Sequence, residues 1–334
     1  SQDLYAVRLI GPNRQNTSGM QRMVRLKALD GNDASPMCFG CMQFGGTADA
    51  AARRAMFDAC RDAGINFFDT AHTYTGGQSE ELLGNFIKQD RDALIIATKT
   101  GYTGGSGREN ILAQFDDSRF RLKLDAVDIL YLHRWDPKTP LFETFEALRE
   151  LQAQRKIRHI GVSNFAAWQV MKAQAVAEQL GTRIDIIQPM YSLIKRQAEV
   201  ELFPMALSED IAVAPYSPLG SGLLTGKYQA GGAGRLSTDT RYAARYGQAW
   251  MAETAQALSA LAREWGTDPA TLAVAWAAKH PAVSAPIISG RNAQQLEPSL
   301  KALRVCLTSE QYSQIEALSA RPAPATDRLE ETGA

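Results

Sequence analysis

A single (β/α)8 barrel is the fold class this sequence predicts. Short apolar runs alternate with segments of helical period, and eight such runs stand along the chain. The runs are apolar on both faces rather than alternating, which marks strands of a parallel sheet covered on both sides. Length agrees, since 334 residues with 45% hydrophobic content suffice for one large core. Eight strand–helix units in about 300 residues fit a closed barrel better than two halves of a doubly wound sheet.

The first strand is expected near Pro36 to Cys41. Ile65-Asn66-Phe67-Phe68 then leads into Asp69, Ala93 to Thr98 into Lys99, and Val127 to Leu132 into His133. Ile157 to Val162, Ile184 to Ile187, Ile211 to Ala214 and Val283 to Ile288 complete the eight. Between them, Ala52, Met56, Ala59, Cys60 and Ala63 form a helical stripe ended by Gly64, and Leu141, Phe145, Leu148 and Leu151 form another. The rhythm breaks once, from Tyr216 to about Gln248, in a Gly-rich, helix-poor insertion that ends in Arg241-Tyr242-Ala243-Ala244-Arg245-Tyr246. After strand seven, such a loop is expected over the active face as a lid. Residues 1–22 are polar and without helical period, and read as an N-terminal extension, added or from an upstream start. The barrel is expected over residues 23–334, with a C-terminal extension and no second domain.

The 36 basic and 36 acidic side chains cancel, and no run of Lys and Arg offers the footprint that nucleic acid or an anionic membrane needs. The expected partner is a small molecule, and oligomeric state is not legible. No stretch approaches 18 consecutive apolar residues and the first residues lack a secretory layout, so a cytoplasmic location is expected. Four cysteines are too few for a disulfide framework. Cys38-Phe39-Gly40-Cys41 has C-x-x-C spacing, but Met42 to Gly46 intervenes before the next helix, where a redox thiol would want the helix N-terminus. Gly222 to Tyr228 is one residue short of a P-loop and has Tyr228 where magnesium needs Ser or Thr. The four histidines show no metal-ligand spacing, which argues against a metal-dependent hydrolase. Asn16-Thr17-Ser18 is a formal glycosylation site in a chain with no other sign of secretion.

If the runs are neighbouring parallel strands, Asp69, Tyr74, Lys99 and His133 converge on one face. A phenol protonates a forming alkoxide well only if its pKa of about 10 is pulled down. An ammonium at Lys99 is expected to do that for Tyr74, Asp69 to keep Lys99 charged, and His133 to hydrogen-bond the substrate oxygen. Singly, each has a plain structural explanation: a helix cap, a strand-end anchor, a core histidine, a loop aromatic. All four at the right strand ends outline an active site. Gln43, Phe44, Tyr102, Trp135 and Tyr191 are expected to line its pocket, an aromatic wall suited to an apolar or ring-containing substrate, although each also fits outer packing.

Asn66-Phe67-Phe68-Asp69-Thr70-Ala71-His72-Thr73-Tyr74, followed by Gly77-Gln78-Ser79-Glu80-Glu81-Leu82-Leu83-Gly84, resembles the signature of the aldo-keto reductases. Lys99, Asp128 to His133, Ile160 to Phe165, Gln188-Pro189, Tyr216 to Gly220 and Gly222 to Tyr228 resemble that family in order, over residues 24–318. The resemblance implies a reductase of aldehydes or ketones, or an enzyme running the reverse oxidation of the alcohol. It implies NADPH, rather than NADH, extended across the barrel mouth without a Rossmann fold. Ser163, Asn164 and Gln188 would hold the nicotinamide carboxamide, with Tyr216 stacked on the ring. Ser217, Leu219 and Gly222 would meet the pyrophosphate with Lys227 as charge partner, and Arg291 the 2′-phosphate. Cys41, Met42, Asp69, Ser289 and Gln295 complete the implied cofactor contacts. Two departures stand out: Pro298-Ser299 replaces a usual Glu-Asn pair, which puts adenine contacts in doubt, and Thr75 stands where a glycine commonly follows the tyrosine. The rival reading is a cofactor-binding regulatory subunit resembling the potassium-channel β-subunits.

Overall fold

A computed structural model describes residues 26–46, 48–228, 231, 232 and 239–331. The expected N-terminal extension and the Asn16 site lie outside the described residues. Eight strands run β1 (Cys38–Gly40), β2 (Phe67–Asp69), β3 (Ile95–Thr100), β4 (Val127–Leu132), β5 (Ile157–Ser163), β6 (Ile186–Gln188), β7 (Ala212–Val213) and β8 (Ile287–Ile288). All are parallel, each pairs with its sequence neighbour, and β8 returns to β1. The remaining gap closes just past β7, where Tyr216 bridges Ile287 and the Ile287 N–H donates to Pro215 O at 2.8 Å. This is the expected (β/α)8 barrel, and every expected run holds its strand.

Strand period sorts the side chains. Phe68, Ile96, Leu130, Ile160 and Ile187 face outward into the core shared with the helices. Cys38, Phe67, Ile95, Ala97, Ile129, Tyr131, Ile186 and Ile287 face inward and fill the barrel, with Leu26 and Ala28 from a short N-terminal turn packed among them. One glycine is required here: a Cβ on Gly161 would stand 2.3 Å from the Tyr131 ring, so Gly161 makes room for that ring inside the barrel.

The helices are α1 (Ala50–Asp62), α2 (Gln78–Phe86), α3 (Arg108–Leu122), α4 (Leu141–Ala153), α5 (Ala167–Gln179), α6 (Leu202–Ser208), α7 (Thr240–Tyr246), α8 (Ala249–Glu264), α9 (Pro269–Lys279), α10 (Ala293–Lys301) and α11 (Ser309–Glu316). Both predicted stripes are buried at Met56 and Cys60 in α1, and at Phe145, Leu148 and Leu151 in α4. Local signals set the ends. Asp268 caps Ala270 N with Pro269 in the first turn, and Thr308 and Gln311 cap each other's backbone at α11. The insertion after β7 is less irregular than expected, because its end forms α7, capped by Asp239. Tyr246 anchors that helix: its ring is buried, its hydroxyl lies 3.6 Å from Met190 Sδ, and Lys195 Nζ lies 5.5 Å from its centroid.

Candidate active site

Asp69 ends β2, Lys99 is the penultimate residue of β3, and His133 directly follows β4. Each continues the inward alternation of its strand, so the barrel interior turns from apolar to charged at one end without a change of face. Lys99 Nζ donates to Asp69 Oδ2 at 2.5 Å, to Thr70 O at 2.8 Å and to Tyr74 OH at 3.2 Å. An ammonium has three protons, and all three are used. Gln188 Nε2 donates to Asp69 Oδ1 at 2.9 Å, so both carboxylate oxygens are held. The Tyr74 and His133 rings meet edge to face, 5.7 Å apart at 82°.

Burial works against a charged Lys99, but the neighbouring Asp69 and the Tyr74 oxygen outweigh it and hold the ammonium above its ordinary value. Tyr74 departs from the sequence expectation. Burial raises the phenol, Lys99 draws it back only in part, and the Asp69 charge adds to the rise, so it sits above its usual value rather than below. The phenol therefore keeps its proton at neutral pH. For His133, burial together with the charges of Lys99 and Arg134 lowers the imidazole to about 3. It is neutral, and its Nδ1 is buried without a hydrogen-bond partner. An orphaned buried N–H is rarer than an unused acceptor, which assigns the single proton to Nε2.

The loop that carries Tyr74 is tied down by residues the sequence reading did not single out. His72 N donates to Lys99 O at 3.1 Å, and Arg121 Nη1 donates to His72 O at 3.0 Å. Arg121 also reaches the fully buried Glu80, whose other oxygen accepts from Thr98 Oγ1 at 2.6 Å. Nothing in the order of residues links Arg121, late in α3, to a glutamate in α2; only packing does.

The residues implied for a nicotinamide lie together at the ends of β5, β6 and β7. Ser163 Oγ donates to Gln188 O at 2.9 Å, Asn164 Nδ2 donates to His133 O at 3.0 Å, and Tyr216 OH donates to Asn164 Oδ1 at 2.7 Å. Asn164 is exposed and left-handed, with φ of 58°. Burial raises the Tyr216 phenol to about 12, so this hydroxyl is a donor at neutral pH. Farther along, Ser217, Gly220, Ser221 and Gly222 all have positive φ. A Cβ on Gly222 would lie 3.0 Å from Lys227 Nζ, so the glycine leaves a cradle beneath an ammonium. Leu219 turns its carbonyl into this loop, accepting from Gly222 N and Leu224 N. Ser289 Oγ donates to Gly40 O at 2.8 Å, and Gln295 Oε1 accepts from Arg291 N at 3.4 Å. Met42 is partly exposed on the loop after β1.

Three expected contacts are not where the sequence reading put them. Cys41 is fully buried, its N–H donates to Asp69 O, and its carbonyl accepts from Ser79 Oγ; none of it faces the mouth. Phe44 is fully buried between Phe39 and Phe86. Tyr191 stacks on Trp276 at 5.2 Å and donates its hydroxyl to Glu199 at 2.8 Å. Both rings bury their apolar surface in the core shared with the helices. Tyr102 and Trp135 are less buried: the Tyr102 ring lies 4.9 Å from His133, and Trp135 packs on Phe165 at 5.2 Å and on Trp168 at 5.6 Å. Gln43 is partly exposed on the loop after β1. Trp168, 61% exposed in the first turn of α5, packs on Trp135 and was not singled out from the sequence; a tryptophan so close to a helix start and a strand end was its signal. The C-x-x-C cysteines face opposite sides of β1, Cys38 into the barrel and Cys41 toward the helices. Burial pushes both thiols well up, as befits strand residues rather than a redox pair.

The model of the Aldo/keto reductase family matches residues 36–320. The chain belongs to the aldo/keto reductase family. It is 33% identical over 306 residues to a probable voltage-gated potassium channel β subunit of Oryza sativa subsp. japonica, covering 85% of this chain and 92% of the relative. An uncharacterized oxidoreductase of Bacillus subtilis is 33% identical, with 83% and 89% covered. An aryl-alcohol dehydrogenase of Pestalotiopsis microspora is 30% identical, with 84% and 78% covered. Family and relatives together support an oxidoreductase. In α10, Pro298 lies inside the helix with its carbonyl accepting from Thr271 Oγ1 at 2.7 Å, and Ser299 is fully buried. Neither presents a donor to the surface.

Proposed function

We propose that the chain reduces an aldehyde or ketone to its alcohol, or runs the reverse oxidation, with NADPH as cofactor. The observation that carries this is Lys99 Nζ bonded at once to Asp69 and to Tyr74 OH, with His133 beside the phenol. A bound reduced nicotinamide would supply the hydride for the carbonyl carbon. Tyr74 holds the proton for the carbonyl oxygen, and Lys99 stabilises the phenolate left behind, which a raised phenol pKa alone would disfavour. His133, neutral, offers Nε2–H to the same oxygen and orients the carbonyl. The cradle at Gly222 under Lys227, and the exposed amide of Asn164 beside Tyr216, fit the pyrophosphate and nicotinamide ends of such a cofactor. Arg291 is the residue suited to a 2′-phosphate, because its planar fork binds phosphate oxygens in pairs.

Tyr102, Trp135 and Trp168 favour a ring-containing substrate, and the name of the aryl-alcohol dehydrogenase relative agrees. The test is a panel of aryl aldehydes, aliphatic aldehydes, ketones and secondary alcohols, read by nicotinamide absorbance with NADPH and with NADH. Turnover of aryl carbonyls with NADPH is expected. A specific observation keeps a second reading in play, the channel β subunit name of a 33% identical relative. Tight cofactor binding with no turnover of any panel member would favour that regulatory reading.

A further inference from the structure

Thr75 carries a conformation that threonine rarely adopts. Its φ of 49° and ψ of 37° are left-handed, and Gly76 and Gly77 follow at positive φ. A β-branched residue persists there only when its surroundings over-determine it. The surroundings do so through its hydroxyl, which donates to Phe44 O at 2.7 Å and accepts from Ser79 N at 3.0 Å. Ser79 Oγ donates in turn to Cys41 O at 2.8 Å and lies 2.8 Å from Thr70 Oγ1. Thr70 supplies the carbonyl that accepts from Lys99. The two loops are pressed together at this point, since a Cβ on Gly45 would lie 3.0 Å from Thr75 Oγ1 and 2.5 Å from Gln78 Cβ.

We propose that Thr75 is a positioning residue: its hydroxyl locks the loop after β1 to the loop of Tyr74, and so holds the Tyr74 hydroxyl on Lys99. A glycine would take up this backbone without strain but would bridge nothing. The inference rests on the reading of Tyr74 as proton donor, because only then does its placement set a rate. Misplacement of a reacting group by a fraction of an ångström lowers turnover without weakening ground-state binding.

The decisive variant is Thr75→Gly, compared with Thr75→Ser and Thr75→Val. In Thr75→Gly, relief of the left-handed strain offsets the lost hydrogen bonds, so the melting temperature should stay near wild type. Its kcat should nevertheless fall about tenfold with KM and cofactor Kd little changed. Thr75→Ser keeps the hydroxyl and should restore kcat; Thr75→Val should lose turnover and stability together. Amide hydrogen exchange should quicken in both segments 41–46 and 70–79 of Thr75→Gly. Wild-type kcat in Thr75→Gly, or unchanged exchange in segment 41–46, overturns the proposal. Should the wild type reduce no carbonyl at all, the functional reading fails, and exchange alone decides the lock: faster exchange in both segments upholds it, unchanged exchange overturns it.

Discussion

Lys99 and Arg291 are both cations near the C-terminal ends of barrel strands, yet they are built in opposite ways. Lys99 is buried with three acceptors around its ammonium. Arg291 is partly exposed, and among the described residues its guanidinium makes no hydrogen bond or ion pair; only its backbone N–H is engaged, by Gln295. The geometry around Lys99 is therefore set before any ligand arrives. The Arg291 guanidinium is left open to an anionic partner.

The largest effect that would break this contrast is expected at Lys99. Lys99→Met leaves Asp69 buried without its cation, which destabilises by about 3 to 5 kcal/mol. Thermal unfolding should shift markedly downward and turnover should be nearly lost; a wild-type melting temperature would show that the pair does not hold the site. Tyr74→Phe removes one hydroxyl and keeps the ring. Turnover should fall by about 10² to 10⁴ with cofactor affinity near its original value, measured by steady-state kinetics and fluorescence titration. Unchanged turnover would take the proton donor away from Tyr74.

Arg291→Ala tests the open end. A charge-assisted contact of about 1.5 to 3 kcal/mol corresponds to about 10- to 100-fold in Kd. NADPH should weaken by that factor and NADH hardly change, with kcat preserved at saturation. Equal binding of the two cofactors by the wild type would remove Arg291 from the phosphate site.

A further effect sharpens the comparison through pH. Burial, with Lys99 and Arg134, lowers His133 to about 3, whereas an unfolded histidine titrates near 6.5. Between those values the unfolded chain binds more protons than the native one, so this contribution rises with pH. It is fully present above about pH 6.5 and is lost progressively as pH falls toward 3. Wild type should therefore lose more stability than His133→Gln between pH 7 and pH 4, read by denaturant melts. The same depression predicts no inflection near pH 6.5 in the rate profile; one that disappears in His133→Gln would contradict a neutral His133.

Apolar runs on both faces determine the strands, and a parallel order then puts Asp69, Lys99, His133, Ser163 and Gln188 at one end, since period-two alternation keeps each on the inner face. That much follows from the order of residues, and so does the outline of the candidate active site. Tertiary structure alone decided which aromatic rings close the core and which keep some surface in solvent. Phe44 and Tyr191 are indistinguishable by type from Tyr102 and Trp135, yet the first two are covered by helices and the others are not. It also decided the direction of the Tyr74 pKa, which is a difference between burial and the opposed pulls of Lys99 and Asp69. Thr75 shows the same division: its identity was visible as a departure, but its left-handed backbone and its two hydrogen-bond partners exist only once the loops after β1 and β2 are packed against each other.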